Sequence, residues 1–199
     1  DKLLLFCYQA GITARICFNK ADVATESFLK GVETYRQAGF YTLLASPLPG
    51  PGGEALRDWL KDRVSLVAGP SGVGKSSLLN AVDPSLGLET GEVSRKLGRG
   101  RHTTRMVELF SLRIGGWVAD TPGFSLLELP QQLTPSALAQ AYPEMARLQP
   151  CRFESCLHRK EPGCLVKEKV ACGEISQGRY ARYLYLLEEL EQREAQYHD

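Results

Sequence analysis

Apolar positions in this chain come in short runs separated by polar, turn-rich stretches, and the runs switch between two periods. Residues 12–18 (Ile-Thr-Ala-Arg-Ile-Cys-Phe) read as a strand that delivers Asn19 at its carboxyl end. Residues 25–38 read as a helix and 41–45 as a second strand. The stretch 46–53, Ser-Pro-Leu-Pro-Gly-Pro-Gly-Gly, is too dense in proline and glycine for either and reads as a loop. A short helix over 54–61, a buried strand over 64–68 and a helix over 75–82 follow. Apolar runs at 106–112 and 117–119, separated by Ile114-Gly115-Gly116, predict a hairpin. Strands alternating with helices predict an α/β fold whose mainly parallel sheet is covered on both faces.

Past Pro130 the pattern changes. Thr134-Pro135 has the chemistry of an N-cap and first helical residue, opening a helix to about Tyr142. Residues 151–164 are irregular and basic. Tyr180, Tyr183, Leu184, Leu187 and Leu190 then mark the apolar stripe of a C-terminal helix. The change places a boundary near residue 130, dividing 1–130 from 131–199.

Composition narrows the class. The 199 residues are 43% hydrophobic, enough for a globular core, and the formal net charge of +1 excludes a grossly basic nucleic-acid binder. No apolar run reaches the roughly 18–20 residues of a membrane span. The opening Asp1-Lys2-Leu-Leu-Leu-Phe has no signal-peptide layout and no initiator Met, as expected of a fragment. Six cysteines allow disulfides, but three lie with a histidine at metal-ligand spacing, which favours a reducing cytoplasm.

The nucleotide chemistry lies in five segments. Gly69-Pro70-Ser71-Gly72-Val73-Gly74-Lys75-Ser76 is a complete P-loop, set between a predicted strand and helix, with Ser77 next in line. Its backbone N–H groups can surround a β-phosphate, Lys75 can bridge β- and γ-phosphates, and the Ser76 hydroxyl can hold Mg²⁺. Asn19-Lys20-Ala21-Asp22 has the N-K-x-D form that selects guanine, and it precedes the P-loop by about fifty residues. Asp22 can accept from guanine N1–H and its exocyclic amine, Asn19 can bind the other edge, and the Lys20 stem can cover the base. Ala45-Ser46 is the candidate backbone contact to guanine O6. Asp120-Thr-Pro-Gly123 has the D-x-x-G form, with Asp120 on Mg²⁺ through water and the Gly123 N–H on the γ-phosphate. Residues 98–105, Gly-Arg-Gly-Arg-His-Thr-Thr-Arg, stand where switch I belongs. Thr103 or Thr104 would close on Mg²⁺ there, and Thr104 is preferred.

Phe124 follows D-x-x-G where a water-orienting glutamine often stands, so hydrolysis by the chain alone should be slow. His102 or a group from a partner is the candidate replacement. In the C-terminal segment, Cys151, Cys156, His158 and Cys164 form a Cys3His set suited to a closed, structural zinc site. Cys172 lies near but fits the spacing less well, and Cys7 and Cys17 read as core residues. Arg152, Arg159, Lys160, Lys167, Lys169, Arg179 and Arg182, interleaved with Phe153, Tyr180 and Tyr183, read as an RNA-facing patch or a solvated basic face.

In the order base, phosphate, switch, cysteine cluster, these motifs resemble the ribosome small-subunit-dependent GTPase family, the RsgA/YjeQ type. The resemblance covers nearly the whole chain. It implies a circularly permuted P-loop GTPase domain followed by a small zinc-binding helical domain. It further implies a cytoplasmic, monomeric GTP hydrolase that uses Mg²⁺, is stimulated by the small ribosomal subunit, and acts late in that subunit's assembly while touching its rRNA. Family members usually begin with an OB-fold, and the resemblance implies that this domain and the first strand of the GTPase domain are expected outside this sequence. The alternatives are a nucleotide-gated RNA-binding module with negligible turnover, or a permuted GTPase of the large subunit. Asp22 makes an ATPase the poorest fit.

Overall fold

The computed structural model describes residues 1–47, 52–90, 108–120 and 128–198. In chain order the elements are α1 (Lys2–Gln9), β1 (Arg15–Phe18), α2 (Glu26–Gln37), β2 (Tyr41–Leu44), α3 (Gly53–Leu60), β3 (Val64–Val67) and α4 (Lys75–Val82). Then come β4 (Glu108–Ser111), β5 (Trp117–Asp120), a 3-10 turn (Pro135–Ala141), α5 (Pro143–Ala146), α6 (Leu165–Ala171) and α7 (Gln177–His198). The expected strands and helices up to residue 120 are all present, shifted by a few residues at most. α1, α5 and α6 go beyond the elements that the sequence pattern predicts. No helix among the described residues is long and apolar enough to cross a membrane.

By packing the chain divides into two units, one of residues 1–15, 27–41 and 128–199, the other of 16–26 and 42–127. The first therefore gathers α1 and most of α2, from before the P-loop, with everything after residue 128.

The second unit carries the sheets. β1 pairs with β2, and β3, β5 and β4 form a three-stranded sheet in that order. β3 and β5 run parallel with Val67 opposite Asp120, while β4 and β5 form the expected antiparallel hairpin. The arrangement is mixed α/β. Leu56 and Leu60 of α3 and Leu79 and Val82 of α4 bury one face against Val118 and Leu112. Alternation along the strands explains this: Val118 is fully buried, whereas Val64 and Leu66 are exposed.

Hydrogen bonds fix the hairpin to α4. Asp83, 2% exposed and just past α4, accepts from the Arg113 backbone N–H (2.7 Å), the Arg113 Nε (2.9 Å) and the Ser85 hydroxyl (2.6 Å). The Arg113 backbone N–H, followed by the Ser85 hydroxyl, holds the Asp83 carboxyl far below its usual range against the opposing effect of burial.

The first unit is helical. Tyr183, Leu186, Leu187 and Leu190 of α7 are buried at i, i+3, i+4 and i+7 spacing against Leu133, Leu138 and Tyr142. Thr134 caps the turn at 135–141, its hydroxyl accepting from the Ala137 N–H at 3.3 Å, with Pro135 first in the turn. Tyr142 ends that turn, and α5 starts at Pro143.

Two residues assigned to the basic patch belong to this interior. Arg179 is 2% exposed; its Nε and Nη2 donate to Glu144 at 2.6 and 3.1 Å, and its Nη1 donates to Asp1 at 2.5 Å. Tyr142, Tyr35 and Phe40 present ring faces to the guanidinium, Tyr142 at 4.4 Å from its centroid. Tyr183 is fully buried. A buried cation requires paired carboxylates, and here they come from chain positions far from Arg179. Arg182 is bound to Asp1, Lys169 to Glu174 and Arg159 to Glu191, while Arg152 and Lys160 are exposed members of the patch.

Candidate functional site

The carboxyl end of β3 leads straight into the phosphate loop. Gly72 and Gly74 have φ of +77° and +87°, a region costly for L residues with a Cβ, and Gly74 is the N-cap of α4. The backbone N–H groups of the first turn of α4 have no partner within the helix, and there the helix dipole favours an anion. Lys75 folds back over the loop, its ammonium donating to the carbonyls of Gly69 (3.0 Å) and Pro70 (3.1 Å). Ser76 and Ser77 occupy the first turn of α4 and are half-buried.

The base loop is fastened to the phosphate loop by one side chain. Asn19 Nδ2 donates to the Val73 carbonyl at 2.8 Å and to that of Gly74 at 3.4 Å, while its Oδ1 accepts the Lys20 N–H at 2.7 Å. A Cβ on Gly74 would lie 2.4 Å from Asn19 Nδ2, so this contact needs glycine for space as well as for φ. The sequence predicts that Asn19 can bind the other edge of the base. In the structure its amide spans the two loops. Lys20 takes a left-handed φ of 64°, which turns the chain so that Asp22 follows in a short 3-10 turn.

A third loop supports Asp22. Ala45 is fully buried; its N–H donates to the Phe18 carbonyl and its carbonyl accepts from the Ala21 N–H at 3.0 Å. Ser46, also buried, donates its hydroxyl to Asp22 Oδ1 at 2.8 Å. Asp22 is exposed, and with one hydroxyl on Oδ1 its two oxygens still have acceptor capacity for a ring N–H and an exocyclic amine side by side. Asp120 ends β5 opposite Val67, at the carboxyl ends of two parallel neighbours, where α/β sheets place ligands. His102, Thr103, Thr104, Gly123 and Phe124 lie outside the described residues.

In the other unit, the ligand atoms of Cys151, Cys156, His158 and Cys164 all lie within 4.8 Å of one another. His158 Nδ1 stands 3.6, 3.4 and 3.4 Å from the sulfurs of Cys151, Cys156 and Cys164, and the Cys151 and Cys164 sulfurs are 4.0 Å apart. Tetrahedral zinc with its usual bond lengths requires S···N edges of about 3.5 Å and S···S edges of about 3.8 Å. The donor set therefore fits zinc in number, chemistry and spacing. Burial pushes the Cys156 thiol up to about 12 and raises that of Cys164, so the ion must displace protons from them. Burial lowers the His158 pKa, which favours the neutral, ligating imidazole. Cys172 stands apart, exposed and directed at the Lys169 carbonyl and Glu174. Cys17 packs half-buried in the second unit's core, where burial raises its thiol to about 11, and Cys7 is half-buried.

Sequence reasoning missed the supports of this centre. Glu161, Tyr180 and Tyr183 bind the backbone on either side of His158. The place of Glu161 between two of the four candidate ligands is the one sequence signal that could have marked it.

Comparison with known proteins agrees with the geometry. The RsgA GTPase family model matches residues 1–130. The small ribosomal subunit biogenesis GTPase RsgA of Moorella thermoacetica is 52% identical over 195 residues, covering 98% of this chain and 67% of that protein. The RsgA of Caldanaerobacter subterraneus subsp. tengcongensis is 43% identical over 196 residues, covering 98% and 66%. Among solved structures, YjeQ from Thermotoga maritima superposes with a TM-score of 0.77 at 35% identity, over 95% of this chain and 64% of that one. YloQ, described as a circularly permuted GTPase, gives 0.72 at 33% identity, over 96% and 62%. The chain spans about two thirds of the length of these relatives.

Proposed function

The chain belongs to the RsgA GTPase family, and from that premise we propose that it hydrolyses GTP as a maturation factor of the small ribosomal subunit. The observation that carries the reading is the bond from Asn19 to the Val73 carbonyl. It joins a guanine-type loop to a phosphate loop that follows it in sequence, the inverted order of a permuted GTPase. Residues 1–130 are taken as the GTPase portion and 131–199 as the zinc-binding portion.

Within this reading, Asp22 selects guanine, held in place by the Ser46 hydroxyl. Gly69, Pro70, Ser71, Gly72, Val73, Gly74 and Lys75 hold the phosphates through backbone N–H groups, apart from Pro70, which has none. The Lys75 ammonium leaves the two carbonyls it covers for the β- and γ-oxygens. Ser76, Asp120 and Thr104 would hold Mg²⁺, which would supply charge neutralisation on the phosphates, and Ser77 would complete the phosphate-binding set. Gly123 contacts the γ-phosphate, and His102 or a group of the ribosomal particle orients the water that Phe124 cannot. Cys151, Cys156, His158 and Cys164 hold structural zinc. The partner surface is rRNA of the small subunit, met by a cytoplasmic monomer.

GTP turnover measured alone, with small subunits and with large subunits, using Lys75→Ala as the blank, tests this reading. Stimulation by small subunits only is the expected result. Stimulation by large subunits would reassign the particle. Tight GTP binding with no turnover on either would favour a nucleotide-gated binding module, which the Phe124 side chain also suits.

A further inference from the structure

His158 is a strained ligand. Its φ of +58° lies in the left-handed region that residues with a Cβ rarely adopt, yet its Nδ1 sits within 3.6 Å of all three ligand sulfurs. Something must hold the loop in that shape, and Glu161 does so from within it. One carboxylate oxygen accepts the Leu157 N–H at 2.8 Å, and the other accepts the N–H groups of Arg159 at 2.7 Å and Lys160 at 2.9 Å. The carboxylate thus spans His158, bonded to the residue before it and the two after. From the opposite side, the Tyr180 hydroxyl donates to the His158 carbonyl at 2.6 Å and the Tyr183 hydroxyl to the Leu157 carbonyl at 3.0 Å.

We propose that Glu161 is the positioning residue of the Cys3His centre, shaping the loop so that His158 presents Nδ1 to the ion. The inference rests on reading that cluster as a metal centre. Glu161 is no ligand, since both its oxygens are taken up by backbone donors. Its chemistry is specific: all three partners are N–H groups, so the residue must accept on both sides. A glutamine of the same shape would turn an NH₂ toward one set of donors and lose that side. Charge-assisted bonds to a carboxylate are also about twice as strong as neutral ones.

The test is zinc affinity of the zinc-loaded chain by chelator competition, together with the visible spectrum of its cobalt(II) form, for wild type, Glu161→Gln and Glu154→Gln. Glu154 is exposed in the same segment, so its variant removes the same charge without touching the bonds. Glu161→Gln should weaken zinc binding about 10–100-fold, the usual cost of removing a group that orients a ligand. Its cobalt ligand-field bands should shift, while Glu154→Gln matches wild type in both. Should Glu161→Gln not fold, Tyr180→Phe removes a single bond to the same loop and should cost about 2–10-fold. Wild-type affinity and spectrum in Glu161→Gln, or an equal loss in Glu154→Gln, would overturn the proposal while leaving the metal centre standing. Failure of wild type to bind zinc at all would overturn both.

Discussion

Gly74 carries two demands on a single hydrogen atom. Its φ of +87° and the 2.4 Å separation between a notional Cβ and Asn19 Nδ2 mean that alanine must either strain the turn or push the tether away. Gly74→Ala is therefore expected to weaken guanine nucleotide binding at least tenfold, read by fluorescence titration with a labelled GDP. Strain of this sort costs about 1–3 kcal/mol. Asp22→Asn should act on selectivity, moving preference from guanine toward xanthine nucleotides; unchanged GTP affinity would remove Asp22 from the base site. P-loop and base residues were legible in the sequence because their chemistry depends on local spacing. Arg179 was not, since Asp1 and Glu144 lie 178 and 35 residues away and nothing local marks it as buried. Arg179→Met would leave the Glu144 carboxylate, itself 2% exposed, without its guanidinium. A stability loss of about 3–5 kcal/mol in urea unfolding is expected.

Among the elements, α4 lies over the expected residues because a P-loop glycine starts it and Pro84 follows closely on its end. The strands were legible from their apolar runs. α1 and α6 were not: the first is an apolar run of no clear period, and the second is a seven-residue helix with few marked positions. The join of α4 to the hairpin was equally hidden, since it depends on Asp83 reaching the backbone of Arg113 thirty residues on. Asp83→Asn should cost about 1–3 kcal/mol at neutral pH, because a buried acceptor of several N–H and O–H groups loses its charge. The acid dependence has a definite sign. The folded-state pKa of Asp83 is depressed, so its contribution is complete above the unfolded value of about 4 and fades as pH falls below it. The stability gap between wild type and Asp83→Asn should stay level from about pH 7 to 5 and close toward pH 2, as measured by urea unfolding across that range.

At the scale of the molecule, the two kinds of chemistry belong to separate packing units. Every described residue of the base and phosphate loops falls in the unit of 16–26 and 42–127, and all four zinc-type ligands fall in the other. The loop of the Cys3His cluster is also fixed to α7 by the Tyr180 and Tyr183 hydroxyls and the Arg159–Glu191 pair. α7 in turn supplies Leu186, Leu187 and Leu190 to that unit's core. An ion held by Cys151, Cys156, His158 and Cys164 should therefore stabilise helices well beyond its loop, because losing the loop's shape releases the two phenols that anchor one end of α7. A nucleotide should instead protect the phosphate loop, α4 and the base loop. Hydrogen exchange can separate the two effects. Chelation of zinc is expected to raise exchange across residues 151–164 and the first turns of α7 while leaving α4 nearly unchanged; GDP should slow exchange in α4 and around residues 19–23 and leave the metal loop alone. Equal loosening of α4 on chelation would mean that the molecule opens as one cooperative body, and the metal would then act on the nucleotide site through global stability.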